Sequence, residues 1–291
     1  MTRPCSLRAR GSIYRFAPIF MMNMARRGSG QWTQVLFVDK SYLFLPFLEE
    51  KKKAGVGEAA SVASLFRRCG IRSGSRILDL CCGIGRIAVP LAKQGYDVIG
   101  VDMSPDFIKR ARRYAASKHV TRKTKFIVGD YRDIESTLSG EESFRGILSA
   151  FTSIGYYGRD VDKEAFEAVA RHTAKGGIFI LDTINRDWLL RHFEGKGYEM
   201  AGNVLVLQDR EFDAERSYML NRWEYYRVVG PHLRSEGVYR VDHRVYGPSD
   251  LKELLESAGW AVVSSSADYD GNPIDIALPG KSQMVTVARR R

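Results

Sequence analysis

A chain of 291 residues, 44% hydrophobic and 27% charged, can bury a sizeable core, either as one large domain with an insertion or as two small domains. It holds no run near the ~20 apolar residues that a membrane-spanning helix needs. The net charge of +11 is concentrated at the start, where residues 1–30 carry six arginines and no acid; 39 basic residues then face 34 acidic ones, so pI alone makes no case for a nucleic-acid partner.

Residues 1–30 are expected to form a basic, disordered extension. Their Arg-rich, acid-free composition is also that of an organellar transit peptide, and a third account makes Met24 the first residue. Cytoplasmic residence is the expectation, with import by residues 1–30 as the alternative. The cysteines are Cys5, Cys69, Cys81 and Cys82. Their spacing suits no zinc site, so no metal is expected, and free thiols in a reducing compartment are the simpler reading. FVDKSYLFLPFL (37–48) is too apolar for a linker and reads as a lid over a site or as packing on a sheet edge.

From there strands and helices alternate. Residues 58–70 have helical spacing and stop at Gly70. Residues 73–81 read as a strand, and 84–95 as a helix that Pro90 should bend. A second strand covers 97–102. A helix at 104–118 starts with Ser104 as cap and Pro105 behind it. Strands at 124–130 and 144–151 follow, then a helix at 162–177 and a strand at 177–183. This rhythm implies a parallel sheet covered on both faces. It breaks at about 198–246, where three long alternating strands (203–212, 217–228, 237–246) suit an antiparallel meander. A helix at 248–259 and two strands at 260–268 and 283–290 close the chain. Their connection is too short and too rich in Pro and Gly for a helical crossover, so that pair is expected to be antiparallel. The expected domains are 31–195 (core with an N-terminal lid), 196–246 (antiparallel insertion) and 247–291 (completion of the core).

The segment ILDLCCGIGRIAVPLAKQGYDVIGVD (77–102) carries the chemistry. A strand, a glycine turn and a helix build a nucleotide site at the carboxyl edge of a sheet. Gly83, Gly85 and Ala88 satisfy G-x-G-x-x-A, and Asp102 follows Gly83 by 19 residues, as in dinucleotide sites. Three features oppose that reading. Asp79 stands at the entrance to the turn, where pyrophosphate gains nothing from an anion. Asp130 ends the third strand. The sheet finishes with an antiparallel strand. These fit S-adenosylmethionine, a nucleoside without phosphate: Asp79 for its ammonium, turn N–H groups for its carboxylate, Asp102 for its ribose and Asp130 for its adenine amine.

The order DLCCGIG, GVD, GD, then a fourth strand running into FTSIGYY, resembles class I S-adenosylmethionine-dependent methyltransferases over roughly residues 55–291. The resemblance implies an α/β fold: a seven-stranded Rossmann-like sheet, mostly parallel with its last strand antiparallel, carrying an inserted antiparallel β subdomain. It departs at Cys81, where the family's turn has its first glycine. Within the family the chain is most similar to small-molecule enzymes, including sugar and glycine-type N-methyltransferases. The implied cofactor site is Asp79, Cys81, Gly83, Gly85, Asp102, Met103, Asp130, Tyr131 and Phe151.

In-line methyl transfer needs alignment and exclusion of water, and a base only where the acceptor must lose a proton. Tyr156 and Tyr157, after the fourth strand, would orient an acceptor; His243 is the candidate base. Thr152, Ser153, Asp182 and Asn185 are placed to meet a polar substrate, with Asn185 and Asp187 as caps of the helix WLLRHF the alternative, and Tyr42 is placed to face the sulfonium. In the insertion, Asn221, Trp223, Tyr225 and Arg227 share one face; Arg222, Glu224 and Tyr226 share the other. Either face would roof the pocket, where Arg222 is a candidate contact, or form a homodimer. The expected function is methyl transfer to an N, O or C nucleophile of a small polar acceptor. RNA or tRNA methylation is the alternative, weakened by the lack of an Asn/Asp-Pro-Pro-Tyr run and of a basic patch interleaved with aromatics. A non-catalytic cofactor-binding protein and a dehydrogenase are the remaining rivals.

Overall fold

The computed structural model describes residues 31–141 and 143–291; the basic extension at 1–30 lies outside the described residues. The chain begins with α1 (Gln31–Thr33), which runs into a π-helical stretch (Gln34–Asp39), then α2 (Ser41–Lys52) and α3 (Gly55–Arg68). Next come β1 (Arg76–Leu80), α4 (Ala88–Lys93), β2 (Asp97–Asp102), α5 (Pro105–Ser117), β3 (Thr124–Val128), α6 (Ile134–Thr137), β4 (Phe144–Ser149), α7 (Arg159–Arg171), β5 (Thr173–Ile184) and α8 (Arg186–Arg191). Then β6 (Lys196–Ala201), β7 (Val204–Asp213), β8 (Tyr218–Val229), β9 (His232–Arg240) and β10 (His243–Arg244) precede α9 (Pro248–Ser257), β11 (Trp260–Ser266) and β12 (Gln283–Arg290).

The main sheet has seven strands in the order β11-β12-β5-β4-β1-β2-β3. Strands β1 to β5 pair in parallel, while β12 runs antiparallel between β5 and β11. This is the predicted fold class. Alternation along the strands feeds two cores. Ile77 and Val98 pack with Phe66 of α3, Leu91 of α4 and Ala111 of α5. Leu78, Leu80, Ile99 and Val101 pack with Phe166 of α7, Leu251 of α9 and Trp260. Burying each large apolar side chain contributes about 2 kcal/mol. Among the described residues no helix is long and apolar enough to cross a membrane.

The second sheet is antiparallel, ordered β10-β8-β7-β6, with β9 also on β8. The meander is richer than the three strands predicted. KGYEMA of β6 is an edge strand, largely exposed, and its alternating Tyr198 and Met200 are exposed instead of joining a core. The last predicted strand (237–246) starts instead at His232 and breaks after Arg240. Asn221 fills the break, its backbone N–H donating to Asp242 Oδ1 at 3.1 Å and its side-chain amide to the Val241 carbonyl at 2.7 Å.

Two helix boundaries also differ. Helix α4 starts at Ala88 rather than 84, which puts Pro90 in its first turn. The i→i−4 bonds run on either side of it, from the Val89 N–H to the Gly85 carbonyl at 3.1 Å and from the Leu91 N–H to the Ile87 carbonyl at 3.0 Å, so near the helix start the ring leaves out a single bond. Helix α7 ends at Arg171, and TAKGG, predicted as its last turn, already belongs to β5. The Thr173 hydroxyl donates to the Val169 carbonyl at 2.7 Å and closes the helix there.

The segment predicted as a lid is helical and wedged between the sheets. Leu36 and Leu43 are fully buried against Val204, Val206 and Tyr225 of the second sheet and Val241 in the break after β9. Leu48 packs on Ile84 and Phe107 beside the glycine turn.

Candidate active site

The turn after β1 depends on left-handed backbone. Cys81 has φ 60°, Gly83 φ 54° and Gly85 φ 75°. A non-glycine residue pays for that conformation, and Cys81 is held by the ladder: the Cys82 N–H donates to the Val101 carbonyl at 2.9 Å. The two glycines differ in purpose. A Cβ on Gly83 would meet only Leu48 of the lid, at 3.7 Å, whereas one on Gly85 would press on Ala111 Cβ at 3.1 Å and on Phe126 and Val89 at 3.3 Å. Gly83 lines the cleft; Gly85 does not. The expectation that Gly85 touches the cofactor is corrected: it lets α4 pack against α5 and β3.

A cleft of about 940 Å³, counting its open mouth, lies at the carboxyl edge over this turn. It is lined by Asp79, Cys81, Gly83, Asp102, Met103, Asp130, Tyr131 and Phe151, with Ser153, Tyr156 and Tyr157 on its far side. The Asp102 carboxylate accepts from the Gly83 N–H at 2.8 Å and the Ser104 N–H at 2.9 Å. It thus shapes the turn, while each oxygen keeps a lone pair for a ligand hydroxyl. Burial pushes its pKa up to about 6, against the pull of those two N–H groups. Burial pushes Asp79 further, to about 7, although the Arg86 guanidinium opposes this. Asp130 accepts from the Arg132 backbone at 2.9 Å and from its guanidinium at 2.7 Å. Tyr131 donates to the buried Asp162 at 2.9 Å; Tyr246 and the Gly155 N–H reach the same carboxylate at 2.6 and 3.0 Å.

Sequence reasoning missed Arg86, Phe37, Phe44, Leu48 and Phe107, all on the cleft wall. Phe37, Phe44 and Leu48 are seven and then four residues apart, the spacing of one helix face, so the pattern carried a signal. Arg86 pairs with Glu58 and lies 5.5 Å from the Phe151 ring centroid.

The turn after β4 is strained, with Phe151 at φ 64° and Thr152 at φ 52°, which costs about 1–3 kcal/mol per residue. Its surroundings hold it. Phe151 N–H reaches Asp182 Oδ2 at 3.4 Å, Thr152 N–H donates to the Asp182 carbonyl at 3.0 Å, and Ile184 N–H donates to Thr152 Oγ1 at 3.0 Å. The Tyr156 hydroxyl donates to the Thr152 carbonyl at 2.7 Å. These bonds correct two expectations. Asp182 is buried, accepts from Tyr269 at 2.8 Å and braces the turn rather than meeting substrate. Asn185 is buried and caps α8 through the Asp187 N–H at 2.9 Å.

A second cavity, about 1660 Å³ counting its mouth, adjoins the first and shares Phe37, Phe44, Phe151 and Tyr156 with it. The second sheet roofs it with Val206, Gln208, Trp223 and Tyr225; Thr152 and His243 also line it. The face of β8 carrying Trp223 and Tyr225 is therefore the inward one. Arg222, on the other face, pairs with Glu224 and lines neither cavity, contrary to expectation. Tyr42 is likewise displaced: it lies on the outer side of α2, 41% exposed, bonded to Glu236 at 3.1 Å and 5.2 Å from the Arg227 guanidinium. Tyr157 bonds Thr33 Oγ1 at 2.6 Å, and its ring lies 4.1 Å from the Arg132 guanidinium.

The donor set fits S-adenosylmethionine. Three carboxylates line the cleft, one almost wholly buried beside the turn, and they suit an ammonium, hydroxyls and an amine where a pyrophosphate would be repelled. Apolar Leu80, Val101 and Phe107 complete the walls. Such a sheet with such a cleft defines a class I S-adenosylmethionine-dependent methyltransferase, and the chain belongs to that family. A family model described as a methyltransferase domain matches residues 77–177. YqeM of Bacillus subtilis, a methyltransferase by name, is 31% identical over 209 residues, covering 67% of this chain and 76% of its own. A glycine/sarcosine N-methyltransferase of Parasynechococcus marenigrum is 28% identical over 211 residues, 70% of this chain and 68% of that one. A 23S rRNA (uracil-C5) methyltransferase of Neisseria lactamica is 36% identical over only 88 residues, 30% of this chain, and the chain spans a fifth (20%) of that relative's length. Among solved structures, the sugar N-methyltransferase KedS8 of a Streptoalloteichus species superposes with a TM-score of 0.60 at 22% identity, over 84% of this chain and 91% of that one.

Proposed function

We propose that the enzyme transfers its methyl group to a small polar acceptor held in the second cavity. The observation that carries this reading is the shared wall: Phe37, Phe44, Phe151 and Tyr156 border both spaces, so an acceptor under the antiparallel sheet lies next to the cofactor cleft. In this reading residues 31–195 and 247–291 are the catalytic core, and 196–246 is the acceptor-side roof. The bound cofactor supplies a methyl carbon already activated by its sulfonium. The chain's own part is to exclude water with aromatic walls and to align the acceptor.

Of the three candidate catalytic residues, His243 alone suits a proton acceptor. Burial lowers its pKa below the ordinary 6.5, so it is neutral at pH 7. Its Nδ1 lies 3.4 Å from the Val241 carbonyl, which favours the proton there and leaves Nε2 with its lone pair. Burial raises the Tyr156 pKa far above the usual range; its hydroxyl stays protonated and occupied, and its ring lies edge-on to His243 with centroids 6.4 Å apart. Tyr157, bonded to Thr33, braces the wall.

Two relatives named for small-molecule acceptors, the glycine/sarcosine and sugar N-methyltransferases, support the reading; the rRNA relative matches too short a stretch to favour RNA. Isotope-labelled cofactor incubated with fractionated small metabolites and, separately, with bulk RNA tests it. Label is expected in a metabolite fraction; label in RNA alone would refute the proposal.

A further inference from the structure

The roof of the second cavity carries polar groups that nothing in the chain satisfies. The Trp223 indole N–H and the Tyr225 hydroxyl are both buried without a hydrogen-bond partner, and both side chains line the cavity. Native proteins rarely leave such groups unpaired, because each costs about 1–3 kcal/mol. Strand register explains why two come together: alternate residues of β8 face inward, and Tyr225 stands opposite Val206, which stands opposite Glu199 on β6. One row across three strands therefore presents Glu199 and Tyr225, with Trp223 in the next row opposite Gln208.

Charge points the same way. The cavity is lined by Glu50, Glu58 and Glu199 against one cation, Lys51. Glu58 is neutralised by Arg86, and Lys51 lies 4.6 Å over the Phe151 ring. Glu199 is exposed to the cavity mouth, and no ion pair engages it among the described residues. A carboxylate without an ion pair, in a cavity also lined by Trp32, Trp223 and Tyr225, attracts a cation, because π faces and a carboxylate carry the same sign of potential. An indole N–H can only donate, so the same molecule must also bring an acceptor atom.

Resting on the reading that the acceptor is a small molecule in this cavity, we infer that Glu199, Trp223 and Tyr225 select an amine, cationic in solution, that bears an oxygen a few bonds from its nitrogen. Glu199 and the aromatic faces draw in the ammonium, while Trp223 and Tyr225 bond the oxygen and fix which end faces the cofactor. His243, neutral in the same cavity, is the residue to take up the ammonium proton.

The test separates a cell extract by cation exchange into cationic, neutral and anionic small-molecule pools, plus RNA, and supplies each with labelled cofactor. Label in the cationic pool is expected. The purified acceptor should then show a KM at least tenfold higher with Glu199→Gln and with Trp223→Phe, kcat within about threefold of wild type, and cofactor Kd by calorimetry unchanged. Label in the neutral or anionic pool, or a cationic acceptor whose KM neither variant moves, overturns this inference and leaves small-molecule methylation standing. Label in RNA alone, or in no pool, overturns both.

Discussion

Asp79→Asn should make the protein more stable and a poorer binder of its cofactor. Asp79 is 3% exposed, and burial raises its pKa from 3.8 to about 7. A carboxyl whose folded pKa is raised costs stability. The cost is absent below the unfolded pKa, grows as pH climbs towards the folded one, and is complete above it. A rise of roughly three units corresponds to about 4 kcal/mol at pH 8 and about 2 kcal/mol at pH 5. The isosteric amide removes that cost, and Arg86 keeps Glu58 as its partner. In a protein this size about 4 kcal/mol is roughly 8 °C in Tm. Thermal unfolding at pH 8 and pH 5 should therefore show a gain about twice as large at the higher pH. Calorimetry should show cofactor Kd raised roughly 10- to 100-fold, the loss of a charge-assisted bond to a buried carboxylate. Wild-type affinity should itself fall as pH drops through about 7, and the variant should lose that dependence. A gain in stability that does not vary with pH, or a variant less stable at pH 8, would refute the placement of a buried, destabilised charge at the turn.

Gly85→Ala should lower stability by about 1–3 kcal/mol, from left-handed backbone and contact with Ala111, with cofactor affinity per folded molecule unchanged; a urea titration with calorimetry separates the two. Asp162→Ala leaves two tyrosine hydroxyls and the Gly155 N–H unpaired and should cost at least about 3 kcal/mol; a loss under 1 kcal/mol would count against that hub. For His243→Gln, kcat at saturating cofactor should fall and lose its acid limb. In wild type that limb lies below pH 6.5, because the lowered pKa keeps the base form present down to a more acidic pH. An unchanged pH profile would remove His243 from proton transfer.

That Asp79, Asp102 and Asp130 share one cleft was legible because a parallel sheet brings its strand ends to one edge, so the three could be placed from strand boundaries alone. What was illegible depended on direction rather than position. G-x-G spacing gives Gly83 and Gly85 equal standing, and only the neighbouring Ala111 and Phe126 tell a ligand-facing glycine from a packing one. Tyr42 and Arg222 were assigned without knowing which way α2 and β8 turn; Phe44, two residues from Tyr42, and Trp223, next to Arg222, hold the places they were given. Asp182 and Asn185 look like substrate ligands at a carboxyl edge, yet backbone amides claim both; the Asn185 cap is readable from the helix that follows it, whereas the claim on Asp182 exists only once the strained turn at Phe151 is seen. The edge strand β6 is short and its alternating Tyr198 and Met200 are exposed, so it does not stand out as a strand and Glu199 went unnoticed with it.

The two cavities are mechanically one structure, because helix α2 belongs to both. Its Leu43 is buried under the antiparallel roof, and its Leu48 is packed beside the glycine turn, with Phe44 between them bordering both spaces. A displacement of α2 that widens one cavity therefore shifts a wall of the other, and order gained on filling the cofactor cleft is gained by the acceptor cavity as well. Phe44→Ala should consequently raise cofactor Kd and acceptor KM together. Trp223→Phe, on the roof alone, should raise only the acceptor KM. Affinities that move independently in Phe44→Ala would mean that the shared wall does not couple the sites, and that the roof is held by its own strands and not through α2.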